Sequence, residues 1–333
     1  MSKTTLLDIA NYVNVSTTTV SMVLNNKRIN VADSTRNKIF EAARELNYIP
    51  NALARSLSTK KSYTIGFVIP DIGNPFFAEM AKAIETEAEK QGYSMILCNT
   101  FNSGRKEEDY IKLLIGKLVD GVIISASGEK NKSIELLEGN DIPFVIADRH
   151  IYNEDNINGV FCNNMDGITL GVKYLIKKGY KNVAFVGADT KEISKNSRLE
   201  YFKEISKEYN IFNSEIIEEE EISLEGGIRA TEKLINKNLP IDVIFYSSDV
   251  MAIGGMKCLL RSGYKIPGDI GILGYDNIGI CSFIEPELTT IAQPIYNMGK
   301  ESCNLLIDTI NGKRKDKRVI NLTPYLVDRK TIK

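Results

Sequence analysis

The chain has 333 residues, more than one domain of roughly 100–200 residues, so two or three domains are expected. Hydrophobic residues make up 43% and charged residues 26%, a globular balance that excludes wholesale disorder. The net charge of −1 hides an uneven distribution: residues 1–61 carry nine Lys/Arg against four Asp/Glu, and the remainder carries 33 against 39. A small basic head on a larger acidic body suits a protein that holds a polyanion.

No apolar run reaches the ~18 residues of a membrane span. The N-terminus (Met-Ser-Lys-Thr-Thr-Leu-Leu-Asp) lacks the apolar core of a signal peptide. The five cysteines, Cys98, Cys162, Cys258, Cys281 and Cys303, are far apart and form no C-x-x-C. Together these features predict a reduced, cytoplasmic location. The single histidine, His150, excludes a His-based metal site, and neither a metal nor a cofactor is expected.

In residues 1–61 the pattern is helical. Leu6, Ile9, Ala10 and Val13 fall at i, i+3, i+4 and i+7 and predict a first helix over 6–13. Asn14 suits a left-handed turn. Ser16 is an N-cap for a second helix, 17–24, with Val20, Val23 and Leu24 on one side. A third helix, about 34–46, would bury Ile39, Ala43 and Leu46, and Pro50 bars its continuation. Two short helices across a tight turn with a third packed on them read as a helix-turn-helix. The other reading is a three-helix lid on a larger domain. The basic charge, the terminal position and the polar outer stripe of the second helix (Thr17, Thr18, Ser21) favour DNA.

From Ser62 short apolar runs alternate with helical stretches. Strands are predicted at 64–70, 94–99, 121–125, 144–147, 160–163, 183–187, 243–247, 271–275 and 289–292. Helices are predicted at 77–91, 105–118, 166–178, 197–209, 226–236, 250–262 and 298–310. This alternation predicts parallel sheets with helices on both faces, in two lobes that enclose a cleft at the strand ends. Glu218–Glu221 is an acidic run, read as a solvated loop or a strand edge.

The stretch Thr5-Leu-Leu-Asp-Ile-Ala-Asn-Tyr-Val-Asn-Val-Ser-Thr-Thr-Thr-Val-Ser-Met-Val-Leu-Asn25 resembles the head-piece of the lactose-repressor (LacI/GalR) family of transcriptional regulators. Glu45-Leu-Asn-Tyr-Ile-Pro-Asn-Ala-Leu-Ala-Arg-Ser-Leu57 is similar to that family's third-helix end and hinge. The resemblance covers the whole chain. It implies an α/β fold with a head-piece over 1–49, a hinge helix and linker over 50–61, and a two-lobed body over 62–333. That body would consist of periplasmic-binding-protein-like, doubly wound parallel sheets. Lobe 1 would take about 62–158 and 293–322, and lobe 2 about 159–292 and 323–333. A homodimeric repressor is implied, each head reading half of a pseudo-palindromic operator DNA. No heptad tail follows Asp328-Arg329-Lys330, which favours a dimer over a tetramer.

By the same resemblance Thr17, Thr18 and Met22 meet base edges, and Ser16, Thr19, Ser21 and Asn25 meet phosphates. In the hinge, Leu57 matches a minor-groove wedge, and Asn51 and Arg55 belong to the same DNA-contacting set. Leu7 replaces a frequent Tyr, and Met22 replaces the usual Arg.

In the body, Asn74-Pro75-Phe76-Phe77, Asp148-Arg149, Arg198, Asp276 and Gln293 lie at or near predicted strand ends in the family's order. They resemble the pocket of ribose-binding proteins and ribose-type repressors. The resemblance implies that Phe76 and Phe77 stack on a sugar while Asn74, Asp148, Arg149, Arg198 and Asp276 bond its hydroxyls. Ser125 and Ser248 stand where ribose binders offer Asn, Ile222 where they offer an aromatic ring, and Tyr201 where the family has Gly. The small-molecule effector is expected to be a sugar, ribose-like first and a purine last. A phosphorylated sugar or a protein co-repressor are alternatives. A sugar-binding enzyme and a transport solute-binding protein are the rival classes. The chain has no G-x-G-x-x-G after the first strand, no P-loop and no G-x-S-x-G, and a solute-binding protein leaves the head unexplained.

Arg is the commonest bidentate reader of guanine, and Met offers only apolar contact. The operator is therefore expected to depart from the family consensus at the base facing Met22. Binding selection on randomised half-sites checks this. Recovery of guanine at that base, with full affinity kept by Met22→Ala, contradicts it.

Overall fold

The computed structural model describes residues 4–25, 27–49, 61–125, 132–149, 157–189, 198–313 and 316–333. The chain divides into two compact units, Met1–Ser62 and Tyr63–Lys333.

The first unit holds α1 (Leu6–Val13), α2 (Thr17–Leu24) and α3 (Asp33–Glu45). A reciprocal capping box starts α1: the Asp8 carboxylate accepts from Thr5 N at 2.7 Å, and Thr5 Oγ1 accepts from Asp8 N at 3.3 Å. Donation to the Asp8 carboxylate from Thr5 N and from Thr5 Oγ1, the latter also at 2.7 Å, holds that carboxyl below its usual range. Asn14 ends the helix in the left-handed conformation (φ 57°), and Ser16 caps α2 by accepting from Thr19 N at 3.1 Å. Ile9, Ala10, Val20, Val23, Ile39 and Ala42 form the core of this unit. On α3 it is Ala42, not the expected Ala43, that is fully buried, and Ala43 packs partly buried beside it.

The second unit has two six-stranded sheets. The first contains β1 (Thr64–Ile69), β2 (Ser94–Asn99), β3 (Gly121–Ile124), β4 (Phe144–Ala147), β5 (Gly159–Cys162) and β11 (Val319–Leu322), in the order β11-β5-β4-β3-β1-β2. The second contains β6 (Val183–Ala188), β7 (Ile217–Glu220), β8 (Val243–Tyr246), β9 (Gly271–Asp276), β10 (Thr289–Ala292) and β12 (Tyr325–Val327), in the order β12-β10-β9-β8-β6-β7. The two orders match strand for strand. All pairings are parallel except β10 with β12. Around the first sheet lie α4 (Pro75–Lys90), α5 (Gly104–Gly116), α6 (Lys132–Gly139) and α11 (Ile295–Ile310); around the second lie α7 (Asn164–Lys177), α8 (Arg198–Glu208), α9 (Leu224–Asn236) and α10 (Asp249–Arg261).

Two differences from the sequence reading have physical causes, and one open alternative is resolved. Gly159–Cys162 pairs with β4 and β11, so the lobe boundary expected at 158/159 moves past Cys162. The strands β11 (4 residues) and β12 (3 residues) and the helix α6 (8 residues) are too short to stand out by period. Of the two alternatives for the acidic run, the strand edge is the one observed: Ile217–Glu220 pairs with β6 at the edge of the second sheet, and cations on α9 and at its C-cap meet its carboxylates. Lys237 Nζ is 2.6 Å from Glu218, Lys233 Nζ is 2.7 Å from Glu220, and the Arg229 guanidinium is 3.0 Å from both Glu220 and Glu221.

Helices α9 and α10 approach so closely that a Cβ on Gly227 would sit 2.1 Å from the carbonyl oxygen of Met251. That obstacle is backbone and cannot rotate away. Gly227→Ala is therefore expected to cost about 1–3 kcal/mol through overpacking. A lowered urea midpoint with an unchanged slope checks this; an unchanged midpoint contradicts it.

Candidate functional site

On the head, Thr17 and Thr18 are exposed and Ser21 and Met22 are half-buried along α2. Val20 and Val23 of the same helix are fully buried, so core packing fixes which stripe of α2 remains outside. Leu7 is exposed on α1. Ser16 and Thr19 bond each other through their hydroxyls at 2.9 Å, and Asn25 Nδ2 donates to Ser21 O at 2.8 Å. These four residues thus order the ends of α2 whatever else they touch. Asn51, Arg55 and Leu57 lie outside the described residues, as does His150.

In the body the expected cleft residues gather where the matched strands end. Asn74 follows β1 and caps α4, accepting from Phe76 N at 3.1 Å. Ser125 follows β3, and Ser248 follows β8. Asp148 follows β4, and Asp276 closes its counterpart β9; both have positive φ, 69° and 121°. Non-glycine residues in that region mark backbone held by its surroundings. Gln293 follows β10.

Arg198, the first residue of α8, is the hub of the second lobe's share. Its Nε donates to Asn164 Oδ1 at 2.9 Å, and its Nη1 donates to Ser247 O at 2.5 Å and to Asp276 Oδ1 at 3.2 Å. The guanidinium lies 3.8 Å from the ring centroid of Tyr275, whose hydroxyl also donates to Asn164 Oδ1 at 3.3 Å. Gln293 Nε2 donates to Asp276 Oδ1 at 2.8 Å. Burial opposes the charge of Arg198, but Asp276, Tyr275 and Asp148 outweigh it and raise its pKa. Burial pushes Arg149 down, against the pull of Asp148.

The four residues from Asp276 to Gly279 are each tied to a different element. Asp276 is held as described. Asn277 Oδ1 accepts from Arg329 Nη2 at 2.7 Å, Ile278 N donates to Asp249 Oδ2 at 3.0 Å, and Gly279 N donates to Glu79 Oε1 at 2.7 Å. Glu79 lies on α4 of the first lobe, so this short segment reaches from the ion pair to the opposite lobe.

A cavity of about 530 Å³ opens beside these groups. Of the expected set, Asn74, Phe77, Arg149 and Ile222 line it. Phe76, Ser125, Asp148, Arg198, Ser248, Asp276 and Gln293 are not in its lining. Phe76 and Phe77 both belong to the core, edge-on to each other with ring centroids 5.1 Å apart, and of the two only Phe77 lines the cavity. Ser125 Oγ and Ser248 Oγ are buried with no hydrogen-bond partner among the described residues. Two such hydroxyls at equivalent strand ends mark places for a donor that the chain does not supply. Tyr201, expected to depart from the family pattern, packs partly buried in the second lobe's core.

Sequence reading missed Asn164, Ser247 and Tyr275, which position Arg198, and the cavity residues Asp71, Phe101, Asn102, Asp189, Glu220, Glu221 and Arg229. Strand-end placement would have found Asp71 and Asp189, since β1 and β6 occupy the same place in their sheets. Among the described residues no group of His, Cys, Asp and Glu could hold a metal ion, and no helix is long and apolar enough to cross a membrane.

Comparison with known proteins agrees with this architecture. Residues 5–51 match the model of bacterial regulatory proteins of the lacI family, and residues 62–330 match that of periplasmic binding proteins and the sugar binding domain of the LacI family. The chain is 37% identical over 331 residues to the HTH-type transcriptional repressor PurR of Vibrio vulnificus, covering 99% of this chain and 98% of the relative. It is 38% identical over 330 residues to the ribose operon repressor of Halalkalibacterium halodurans, covering 99% and 97%. The crystal structure of the lac repressor dimer bound to operator and the anti-inducer ONPF matches with a TM-score of 0.88 at 27% identity, over 99% of each chain.

Asp276 is pushed up to about 7, chiefly by burial and against the pull of Arg198; Asp249 adds repulsion. The folded carboxyl thus holds its proton more tightly than the unfolded one, whose value is 3.8. Its contribution to stability is full below about pH 4 and is lost as pH rises through about 7. The melting temperature of Asp276→Asn relative to wild type is therefore expected to rise between about pH 5 and about pH 8. Thermal unfolding of the two proteins across that range checks it, and a pH-independent difference contradicts it.

With a head and a body that both match its models, and with repressors as its full-length relatives, the chain belongs to the LacI family of bacterial transcriptional regulators.

Proposed function

We propose that this regulator is a cytoplasmic homodimeric repressor, released from a pseudo-palindromic operator when a sugar binds between the lobes of its body. The observation that carries the sugar reading is the Arg198–Asp276–Gln293 cluster with the lone hydroxyls of Ser125 and Ser248 at equivalent strand ends. A polyhydroxylated ligand both donates and accepts, which suits carboxylate, guanidinium and hydroxyl together. A site built around hydroxyls rejects analogues that leave its buried groups unpaired. Of the two relatives named above, one is a ribose operon repressor, and the cleft favours that chemistry over a purine. Of the expected set, Phe77 and Ile222 both line the cavity. Thr17, Thr18 and Met22 read base edges, and Ser16, Thr19, Ser21 and Asn25 hold phosphates. Asn51, Arg55 and Leu57 complete the DNA set in the hinge.

Release follows from linkage. If the sugar prefers the conformation that binds operator poorly, operator weakens sugar binding by the same factor. A tenfold effect needs only ~1.4 kcal/mol of differential affinity.

Fluorescence anisotropy on labelled DNA from upstream of the gene, with D-ribose titrated against D-glucose at fixed salt, tests the proposal. Loss of binding with ribose alone is the expected result. Arg198→Gln is expected to weaken the response to ribose by about 10–100-fold, or ~1.4–2.8 kcal/mol, while operator affinity without sugar stays within about twofold. Equal ribose affinity with and without operator overturns the mechanism.

A further inference from the structure

The cavity extends beyond the groups assigned to the sugar. Besides Asn74, Phe77, Arg149 and Ile222, it is walled by Phe101 and Asn102 from the turn after β2, by Glu220 and Glu221 at the end of β7, and by Asp71, Asp189 and Arg229. Strands β2 and β7 hold equivalent places in the two sheets, so the mouth of the cleft is framed by matching turns from both lobes.

The Phe101 turn is held in a costly shape. Phe101 and Asn102 have consecutive left-handed φ values of 54° and 55°. A bulky residue in that region is an outlier, kept only where neighbouring bonds impose it. Here they do: Thr100 N and Asn102 N donate to Ile69 O and Pro70 O, each at 2.9 Å, and Ser103 N donates to Thr100 O at 3.1 Å. The result is an aromatic ring that is 62% exposed yet lines a cavity. Lys106 Nζ lies 4.2 Å from its centroid and steadies it. Nothing in the packing of the first lobe requires a phenyl ring there.

The charge of the mouth narrows what it can accept. Four carboxylates and two guanidinia line the cavity, and Arg229 is forked between Glu220 and Glu221 at 3.0 Å from each. A phosphate would meet an acidic rim whose outer guanidinium is committed. A neutral ring bearing hydroxyls would meet acceptors on its rim and an aromatic face beneath it. The cavity of about 530 Å³ lies within the roughly 300–1,000 Å³ of pockets that hold drug-sized ligands, enough for two rings.

We infer that Phe101 is the platform of an outer subsite for a second, uncharged sugar ring, so that the effector is a neutral disaccharide. This rests on the sugar reading of the inner cleft. The chain contains no tryptophan, so Phe101→Trp installs a single fluorescent reporter. The probes are maltose, cellobiose, lactose, sucrose and xylobiose, their constituent monosaccharides with D-ribose, and the hexose 6-phosphates. Calorimetry on the wild type reads occupancy of the cleft, and the indole emission of the Phe101→Trp variant reads the outer subsite.

The expected result is one disaccharide that binds at least tenfold more tightly than its monosaccharides and shifts the emission. Phe101→Ala, checked for an unchanged melting temperature, should abolish that tenfold advantage and change monosaccharide affinity less than twofold. If a monosaccharide binds as tightly as every disaccharide and leaves the emission unmoved, the outer subsite is overturned while the sugar reading stands. Tighter binding of a 6-phosphate also overturns it. If no sugar of any kind gives heat, both readings fall together.

Discussion

A buried guanidinium has to be satisfied, and much of the body is arranged to do so for Arg198. Taking a cation out of water costs several kcal/mol unless its donors and charge are matched. Here the matching groups come from the ends of β8 and β9, the start of α7 and the ring of Tyr275. None of these elements can shift alone without leaving a donor or a carboxylate unpaired. Asp276 then passes the constraint to Gln293, at the point where the chain leaves the second sheet for α11 on the first. The segment from Asn277 to Gly279 carries it a second way, to Glu79 on α4. The ion pair thus stands where a change in one lobe is felt by the other.

The matched strand orders explain why such a centre exists at all. Open parallel sheets leave their functional groups beyond the carboxyl ends of the strands. Two sheets with the same order put like residues at equivalent strand ends: Asp71 and Asp189, Ser125 and the Ser247–Ser248 corner, Asp148 and Asp276. The lobes are alike in topology and unlike in chemistry. The first offers Phe77, Phe101 and Arg149, and the second offers Arg198, Asp276 and the Glu220–Arg229 fork. A ligand between them would have an apolar and an ionic side.

The head and most of the body were legible in the sequence because local rules and packing agree there. Thr5, Asn14 and Ser16 bound α1 and α2 at the residues their chemistry dictates. The buried strands are continuous apolar runs. The failures fall where stability comes from elsewhere in the chain. The charged run Ile217–Glu220 could be a loop or a strand edge by its local properties, and its pairing with β6 and its contacts with Arg229, Lys233 and Lys237 lie elsewhere in the chain. Ile222, expected in the cleft, lines the cavity, and so does Phe101, which no motif singles out, since an aromatic beside a loop asparagine carries no periodic signal. Phe76 was placed against the ligand with Phe77, yet consecutive helical residues diverge by about 100° and only Phe77 lines the cavity.

The order in which the sheets draw on the chain has a consequence for biosynthesis. The core of the head closes within residues 4–48, so this unit contains everything it needs soon after it leaves the ribosome. The first sheet is different: β11, which pairs with β5, arrives only at Val319–Leu322, and α11, which covers it, only at Ile295–Ile310. The second sheet waits for β12 at Tyr325–Val327. Both lobes must therefore remain open at one edge until residues 319–327 have been made, with apolar strands exposed in the meantime. A nascent chain would carry a finished DNA-reading head on an unfinished sensor, and loss of residues 319–327 would take an edge strand from both sheets at once while sparing the head.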